Sequence, residues 1–278
     1  MSSIIGLGDF ACQLANDFKK YPQYDVYNIL VGTKRIYGKR AYIAPQDSPE
    51  AYEEKCPSFK KLYKSKLSSD VLFIVDGTEA VSAASLRILS EIKGHNITIL
   101  YIMSSSRTLT KTEILNERAV RGILQEYARS GLFEKIIFID FELVGTILPE
   151  TTIKTYYPGI RNMVSSTLHM IGVLSRSESV LGNPAAPHEA SRILTIGLKD
   201  FESGKENMFF PIDYPREKNY FYAIGKEKIE TDTTLLKKIK DQVEAETNED
   251  INASYGVYPT DYEDDYVYAV YRASAIQK

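Results

Sequence analysis

The sequence predicts an α/β protein: a parallel sheet flanked by helices, then a long central helix, then a smaller α+β part with a mixed sheet. Three observations carry this. Residues 71–75 (Val-Leu-Phe-Ile-Val) and 136–139 are uninterrupted apolar runs, as in strands covered on both faces. Strand-like and helix-like segments alternate over residues 3–139, the order of a parallel sheet with helical crossovers. Over residues 158–173, Ile160, Met163 or Val164, Leu168 and Ile171 recur at helical spacing, and strands dominate afterwards.

Taken in order, residues 3–7 are a short apolar strand closed by Gly6-Leu7-Gly8, followed by a helix with Phe10, Leu14, Ala15 and Phe18 on its apolar side. Residues 24–31 form a second strand, stopped by Gly32, and 35–43 fit a strand or an irregular loop. Residues 45–67 are polar, with a helix expected in the second part carrying Lys55, Lys60, Lys61, Lys64 and Lys66. A solvated face explains those lysines better than contact with nucleic acid. Strands at 70–75, 97–103 and 136–139 then alternate with helices at 80–92 and 111–130, the latter long and amphipathic.

In the central helix Pro158 suits the first turn. Ile153 and Tyr157 extend the apolar face upstream, and Arg161, Asn162, Ser165 and Ser166 take other faces. Beyond it come a loop at 182–187 and strands at 193–198, 208–212 and 220–224. Thr231-Asp232-Thr233 caps a helix reaching about 245, with Leu235, Leu236, Ile239 and Val243 on one face. Strands at 253–258 and 266–273 close the chain. Tyr266, Tyr268 and Tyr271 on the last one read as a packing face, and the acidic run 261–265 as a solvated turn.

A chain of 278 residues supports two small domains or one large one. The net charge of −3 gives no general attraction to nucleic acid or anionic membrane. Cys12 and Cys56 are too few for a disulfide scaffold or a zinc site. No signal peptide or membrane span is read, so a cytoplasmic location is expected. His95, His169 and His188 are isolated and belong to no Ser-His-acid arrangement.

Parallel sheets bind ligands at the edge where strands run into helices. The turns on that edge are residues 6–11, 76–81, 104–112 and 140–145. Gly6-Leu7-Gly8-Asp9-Phe10-Ala11 fits the loose dinucleotide fingerprint, in which N–H groups at a helix start receive a phosphate. A Rossmann-type NAD enzyme wants an acid at the end of the second strand, however, and Asp25 stands at its beginning.

The element order resembles the tubulin/FtsZ superfamily over nearly the whole chain. Ile5-Gly6-Leu7-Gly8, Ala11, Gln13 and Leu14 are similar to its first nucleotide loop. Residues 219–224, the helix from Thr231, residues 253–258, the acidic turn and residues 266–273 are similar to the end of its second domain. The resemblance implies a Rossmann-like nucleotide-binding-like domain over 1–152, the central helix and following loop over 153–180, and a C-terminal α+β domain over 181–278. It implies GTP or GDP with magnesium as the ligand class and self-association or a protein partner as the mode of action. The chain ends at Lys278, so the family's disordered partner-binding tail is expected to be absent.

Measured against that family, the site residues depart from the pattern. Where it carries a glycine- and threonine-rich phosphate loop, this chain reads Asp76-Gly77-Thr78-Glu79-Ala80-Val81-Ser82. Asp76 and Glu79 are expected to cap the helix that follows, and together with Asp9 they repel a triphosphate unless magnesium bridges them. Asp140 or Phe141 stands where the family reads guanine with asparagine; Asn28, Asn116, Glu117 and Arg118 are other polar candidates, each simplest as a surface or cap residue. The hydrolytic pair of aspartates is missing from residues 174–179, where Glu178 is the weak substitute, so hydrolysis is expected to be absent or very slow. The vestigial nucleotide set is thus Gly6, Gly8, Ala11, Gln13, Asn28, Gly77, Thr78, Asn116 and Asp140, with no metal ligand and no cofactor required. The expected function is that of a divergent structural or assembly protein; the alternatives are a working filament-forming GTPase and an NAD enzyme.

Overall fold

A computed structural model describes residues 2–34, 37–65, 67–104 and 109–277, the side chains of residues 64 and 65 excepted. The chain divides into two units, Met1–Ser165 and Ser166–Lys278.

In the first unit, β1 (Ser2–Leu7), β2 (Tyr24–Val31), β3 (Arg40–Ile43), β4 (Asp70–Asp76), β5 (Asn96–Met103) and β6 (Lys135–Asp140) are all parallel, in the order β6-β5-β4-β1-β2-β3. The central strands are apolar throughout because both faces are covered: Ile4, Ile5, Phe73, Ile74, Ile99, Leu100, Ile136 and Phe138 are fully buried. Helices α1 (Asp9–Asp17), α2 (Pro49–Glu54), α3 (Ser85–Ser90), α4 (Lys111–Arg129) and α5 (Phe141–Ile147) follow the strands, and a 3-10 turn over Ala80–Ala84 leads into α3. Parallel pairing of β1 with β4 brings the loop after β4 beside the start of α1. α1 lies tightly on β1, since a Cβ on Gly6 would stand 2.8 Å from the Ala11 carbonyl oxygen and from Cys12 Cα.

α6 (Ile153–Leu174) carries the chain into the second unit. There β7 (Ile193–Lys199), β8 (Glu206–Met208), β9 (Glu217–Gly225), β10 (Asn252–Thr260) and β11 (Tyr266–Ala273) form a mixed sheet in the order β10-β9-β11-β7, with β8 on β7. Only β9 and β10 are parallel among the pairs of this sheet. α7 (Lys226–Thr231) and α8 (Leu235–Glu244) connect β9 to β10, and Leu235, Ile239 and Val243 pack with Tyr220, Tyr222 and Tyr271. Tyr268 and Tyr271 are buried, as expected of a packing face, while Tyr266 is 40% exposed. The buried Lys199 ammonium lies 3.3 Å from Glu206 and 3.3 Å from Glu246, and the Tyr220 and Tyr271 hydroxyls donate to Glu206. A charge this deep persists because it is paired.

Several sequence expectations need correction. The helix in residues 45–67 comes first, not second. Ser48 caps it, accepting from the Ala51 N–H at 3.2 Å with Pro49 at the first helical position, and the chain leaves the helix at Lys55. Lys55, Lys60 and Lys61 therefore do not share a helical face; the Lys64 side chain and Lys66 lie outside the described residues, as do residues 35–36 and 105–108 of the expected 35–43 and 104–112 segments. α6 begins at Ile153, so Pro158 sits inside it. The N–H that proline lacks would have reached Lys154, which is exposed, and water can satisfy that carbonyl. Ile153 is 95% exposed and does not extend the apolar face, Tyr157 is half exposed with its ring against Phe10 and Phe141, and Ser165 is fully buried. The strand expected at 208–212 is Glu206–Met208, Pro211 having no N–H to continue a ladder. Thr231 ends α7 rather than capping α8, and Leu236 is 44% exposed.

Gly6→Ala forces backbone, not a flexible side chain, to give way. The substitution is expected to lower stability by about 1–3 kcal/mol in urea unfolding at unchanged m-value.

Candidate functional site

The edge where β1, β4, β5 and β6 run into loops gathers the sequence candidates of the first unit. α1 begins at Gly8, whose φ of 91° is left-handed and whose lack of a side chain leaves the helix without a local cap. The missing acceptor comes from the loop after β4. Glu79 Oε2 accepts from the Asp9 N–H at 2.9 Å, and Oε1 accepts from the Phe10 N–H at 3.0 Å. A Cβ on Gly8 would meet Glu79 Oε2 at 1.9 Å, so the glycine makes room for the carboxylate. Glu79 thus caps α1 rather than its own following helix, against the sequence expectation.

The rest of that loop is tied to itself. Asp76 Oδ1 accepts from the Thr78 N–H at 2.9 Å and from the Thr78 hydroxyl at 2.7 Å. Gly77 N–H donates to Ile102 O at 2.9 Å. Asn116, buried on α4, donates its amide to Gly77 O at 3.0 Å, to Glu79 O at 3.2 Å and to Ser82 Oγ at 3.0 Å. It is a clamp on the loop, not the surface or cap residue expected. Glu117 is also buried, paired to Arg121 at 3.1 Å and reached by the Tyr101 hydroxyl, while Arg118 is exposed.

Burial, with repulsion from Asp76 and Asp9, pushes the Glu79 carboxyl up to about 7 against the opposing pull of its two N–H donors. Burial likewise raises Asp76. A cavity of about 500 Å³ opens over this junction, lined among others by Asp9, Asp47, Thr78, Glu79, Glu113 and Asn116. No lysine, arginine or histidine lines it among the described residues.

At the other end of the edge, Asp140 caps α5, accepting from Glu142 N–H at 3.0 Å and from Leu143 N–H at 3.5 Å. Phe141 is engaged by Phe10 at 5.7 Å and by Tyr157 at 6.3 Å, and Phe10 by Tyr157 at 6.4 Å between ring centroids. Asn28 is buried, donating to Asn16 at 2.9 Å, with its own carbonyl oxygen unpartnered. Gly6 and Ala11 are buried in the α1–β1 contact, and Gln13 is exposed on α1. Asp25 is paired with Lys39 near the start of β2. Glu178 is exposed in the second unit. Among the described residues no group of His, Cys, Asp and Glu is placed to hold a metal ion. No helix among them is long and apolar enough to cross a membrane.

A GTPγS-form protofilament of TubZ from Bacillus thuringiensis serovar israelensis superposes with a TM-score of 0.68 at 14% identity, over 96% of this chain and 86% of that one. The fold is that of the tubulin/FtsZ superfamily. An FtsZ dimer from M. jannaschii gives 0.64 at 12% identity over 98% of this chain and 88% of that one, and a TubZ four-stranded filament gives 0.69 at 15% over 98% and 85%. No family model matches the chain, and no curated protein does. Identities this low carry fold and not chemistry.

In this tubulin/FtsZ fold the residues at the expected phosphate loop do not fit a triphosphate as they stand. An anion at the start of α1 would have to displace Glu79 from the N–H groups that it occupies and enter a cavity lined by carboxylates. Sequence reasoning missed the clamp, the aromatic trio and the target of Glu79. The one available signal was the bare glycine at the start of α1, which calls for an acceptor from elsewhere.

A group whose carboxyl is raised on folding stabilises the folded state at low pH, and that contribution is lost as pH rises. From its ordinary 4.5 to about 7, Glu79 makes stability fall with rising pH, and Asp76 acts in the same direction. Urea midpoints measured between pH 5 and pH 8 are expected to show a shallower fall in Glu79→Gln than in the parent chain. An unchanged slope would contradict the placement of this carboxylate.

Proposed function

We propose that this chain is a divergent tubulin/FtsZ-type structural or assembly protein whose ancestral GTP site has become an internally capped junction. It acts through self-association or by binding a protein partner. The observation that carries this reading is the Glu79 carboxylate on the N–H groups of Asp9 and Phe10. Charge, donor geometry and dipole make a helix N-terminus an anion site, and here the anion is a side chain of the same chain. The Thr78 hydroxyl held by Asp76, the clamped loop and the capping role of Asp140 support it, since each engages a group that a nucleotide would need. Hydrolysis is then absent or very slow, with the exposed Glu178 as the weak substitute for the missing aspartates.

Self-association draws support from the assembled state of the neighbours, which include protofilaments and filaments. In this reading contacts between subunits, not nucleotide turnover, set the assembly state, and the protein works in the cytoplasm.

Calorimetric titration with GTP, GDP, ATP and NAD, each with magnesium, tests the proposal. No binding is expected up to the millimolar range. Micromolar affinity for GTP, worth about 8 kcal/mol, would instead identify a working GTP-binding filament protein, and affinity for NAD a Rossmann-type enzyme. Light scattering is expected to rise with protein concentration equally with and without GTP.

A further inference from the structure

α4 is apolar on more than its buried side. Asn116, Glu117, Arg121 and Gln125 are buried there beside Val120, Leu124 and Ala128, while Leu115 is 67% exposed, Ile123 45% and Tyr127 38%. The buried polar groups are explained: Asn116 clamps the loop after β4, and Glu117 pairs with Arg121. Of the exposed apolar ones, Tyr127 meets Phe133 at 5.8 Å between ring centroids, while Leu115 and Ile123 stay largely open. Leu115, Ala119, Ile123 and Tyr127 recur every four residues, so they form a stripe roughly 18 Å long on one side of the helix.

Beside this stripe lies a cavity of about 590 Å³ between α4, α2 and the start of α3, with Leu86, Val120 and Leu124 in its lining. Its α2 rim is acidic: Asp47, Glu50 and Glu53 line it and are exposed. Among the described residues no lysine, arginine or histidine lines the cavity; Arg87, 4.0 Å from Glu53, is the basic group facing that rim from α3. The patch is elongated and continues along α4 past the cavity to Tyr127, which matches a rod better than a small round ligand.

We infer that the groove between α2 and α4 receives an amphipathic helix of a partner protein, with its apolar face on the Leu115–Ala119–Ile123 stripe and basic side chains against the Asp47–Glu50–Glu53 rim. About three helical turns cover the stripe, with anchors at i, i+3 or i+4 and i+7 as in other helix-in-groove complexes. Ala119 lets the incoming backbone approach closely. The carboxylate rim selects basic partners and makes association depend on salt. This rests on the partner-binding side of the proposed function and goes further by naming the partner's chemistry. It is read by peptide binding without nucleotide, so either inference can fail while the other stands.

The test is fluorescence anisotropy of the full chain with a labelled leucine–lysine amphipathic helical peptide, its leucine–glutamate analogue and a scrambled leucine–lysine control. Saturable micromolar binding of the first alone is expected. It should weaken at least about tenfold in Leu115→Ser/Ile123→Ser and in Asp47→Lys/Glu50→Lys, and strengthen at low salt. Tyr37→Ser, an exposed aromatic site elsewhere, should leave it unchanged; all these positions are exposed, and matching urea midpoints establish that the variants fold. Absence of binding, equal binding of the three peptides, or equal binding by all variants overturns the inference. So does sedimentation showing that Leu115→Ser/Ile123→Ser abolishes self-association of the parent chain, because the groove would then hold a second copy.

Discussion

Every helix that follows a strand of a parallel sheet starts on the same edge with N–H groups that lack partners inside the helix. That requirement governs the first unit. α1 is satisfied by Glu79 from the loop after β4. α4 is satisfied by a capping box, in which Thr110 accepts from the Glu113 N–H and Glu113 accepts from the Thr110 N–H. α5 is satisfied by Asp140. Groups that elsewhere would meet an anionic ligand are met here by carboxylates of the chain itself.

The same constraint accounts for the electrostatics of the edge. A carboxylate serving as a cap belongs near a helix start, where the dipole favours it. Gathering Asp9, Asp76 and Glu79 into a half-buried corner has a cost, visible in the raised Glu79 and Asp76 carboxyls. Asn116 fixes the carbonyls of Gly77 and Glu79 from α4, so α4 keeps a polar group toward this loop. Val120, Leu124 and Ala128 are buried beside that polar set, and Leu115 and Ile123 stay exposed.

The tubulin/FtsZ fold therefore persists here with little of the motif identity by which the fold is ordinarily recognised. Apolar strands such as 71–75 and 136–139 need only stay apolar to hold the sheet, and many sequences satisfy that. A phosphate loop needs particular residues at particular backbone positions. Here Asp76 and Glu79 occupy that loop, and the scaffold stands.

What the sequence determined by itself is what short-range periodicity encodes: β1, β2, β4, β5, β6, β7, β9, β10 and β11, the helix α1, the length of α4, the long α6, and the glycine turn after β1. Local competition blurred the rest. Pro158 read as a helix start although an exposed carbonyl lets it sit inside α6, and Ser48-Pro49 outweighed the lysine-rich run as the place for α2. Only the tertiary structure decided the site. Asp9 and Glu79 are 70 positions apart, and no pattern within a helix or strand says that they meet. They meet because β1 and β4 are neighbours in the sheet, which puts the loop of one strand over the bare helix start of the other.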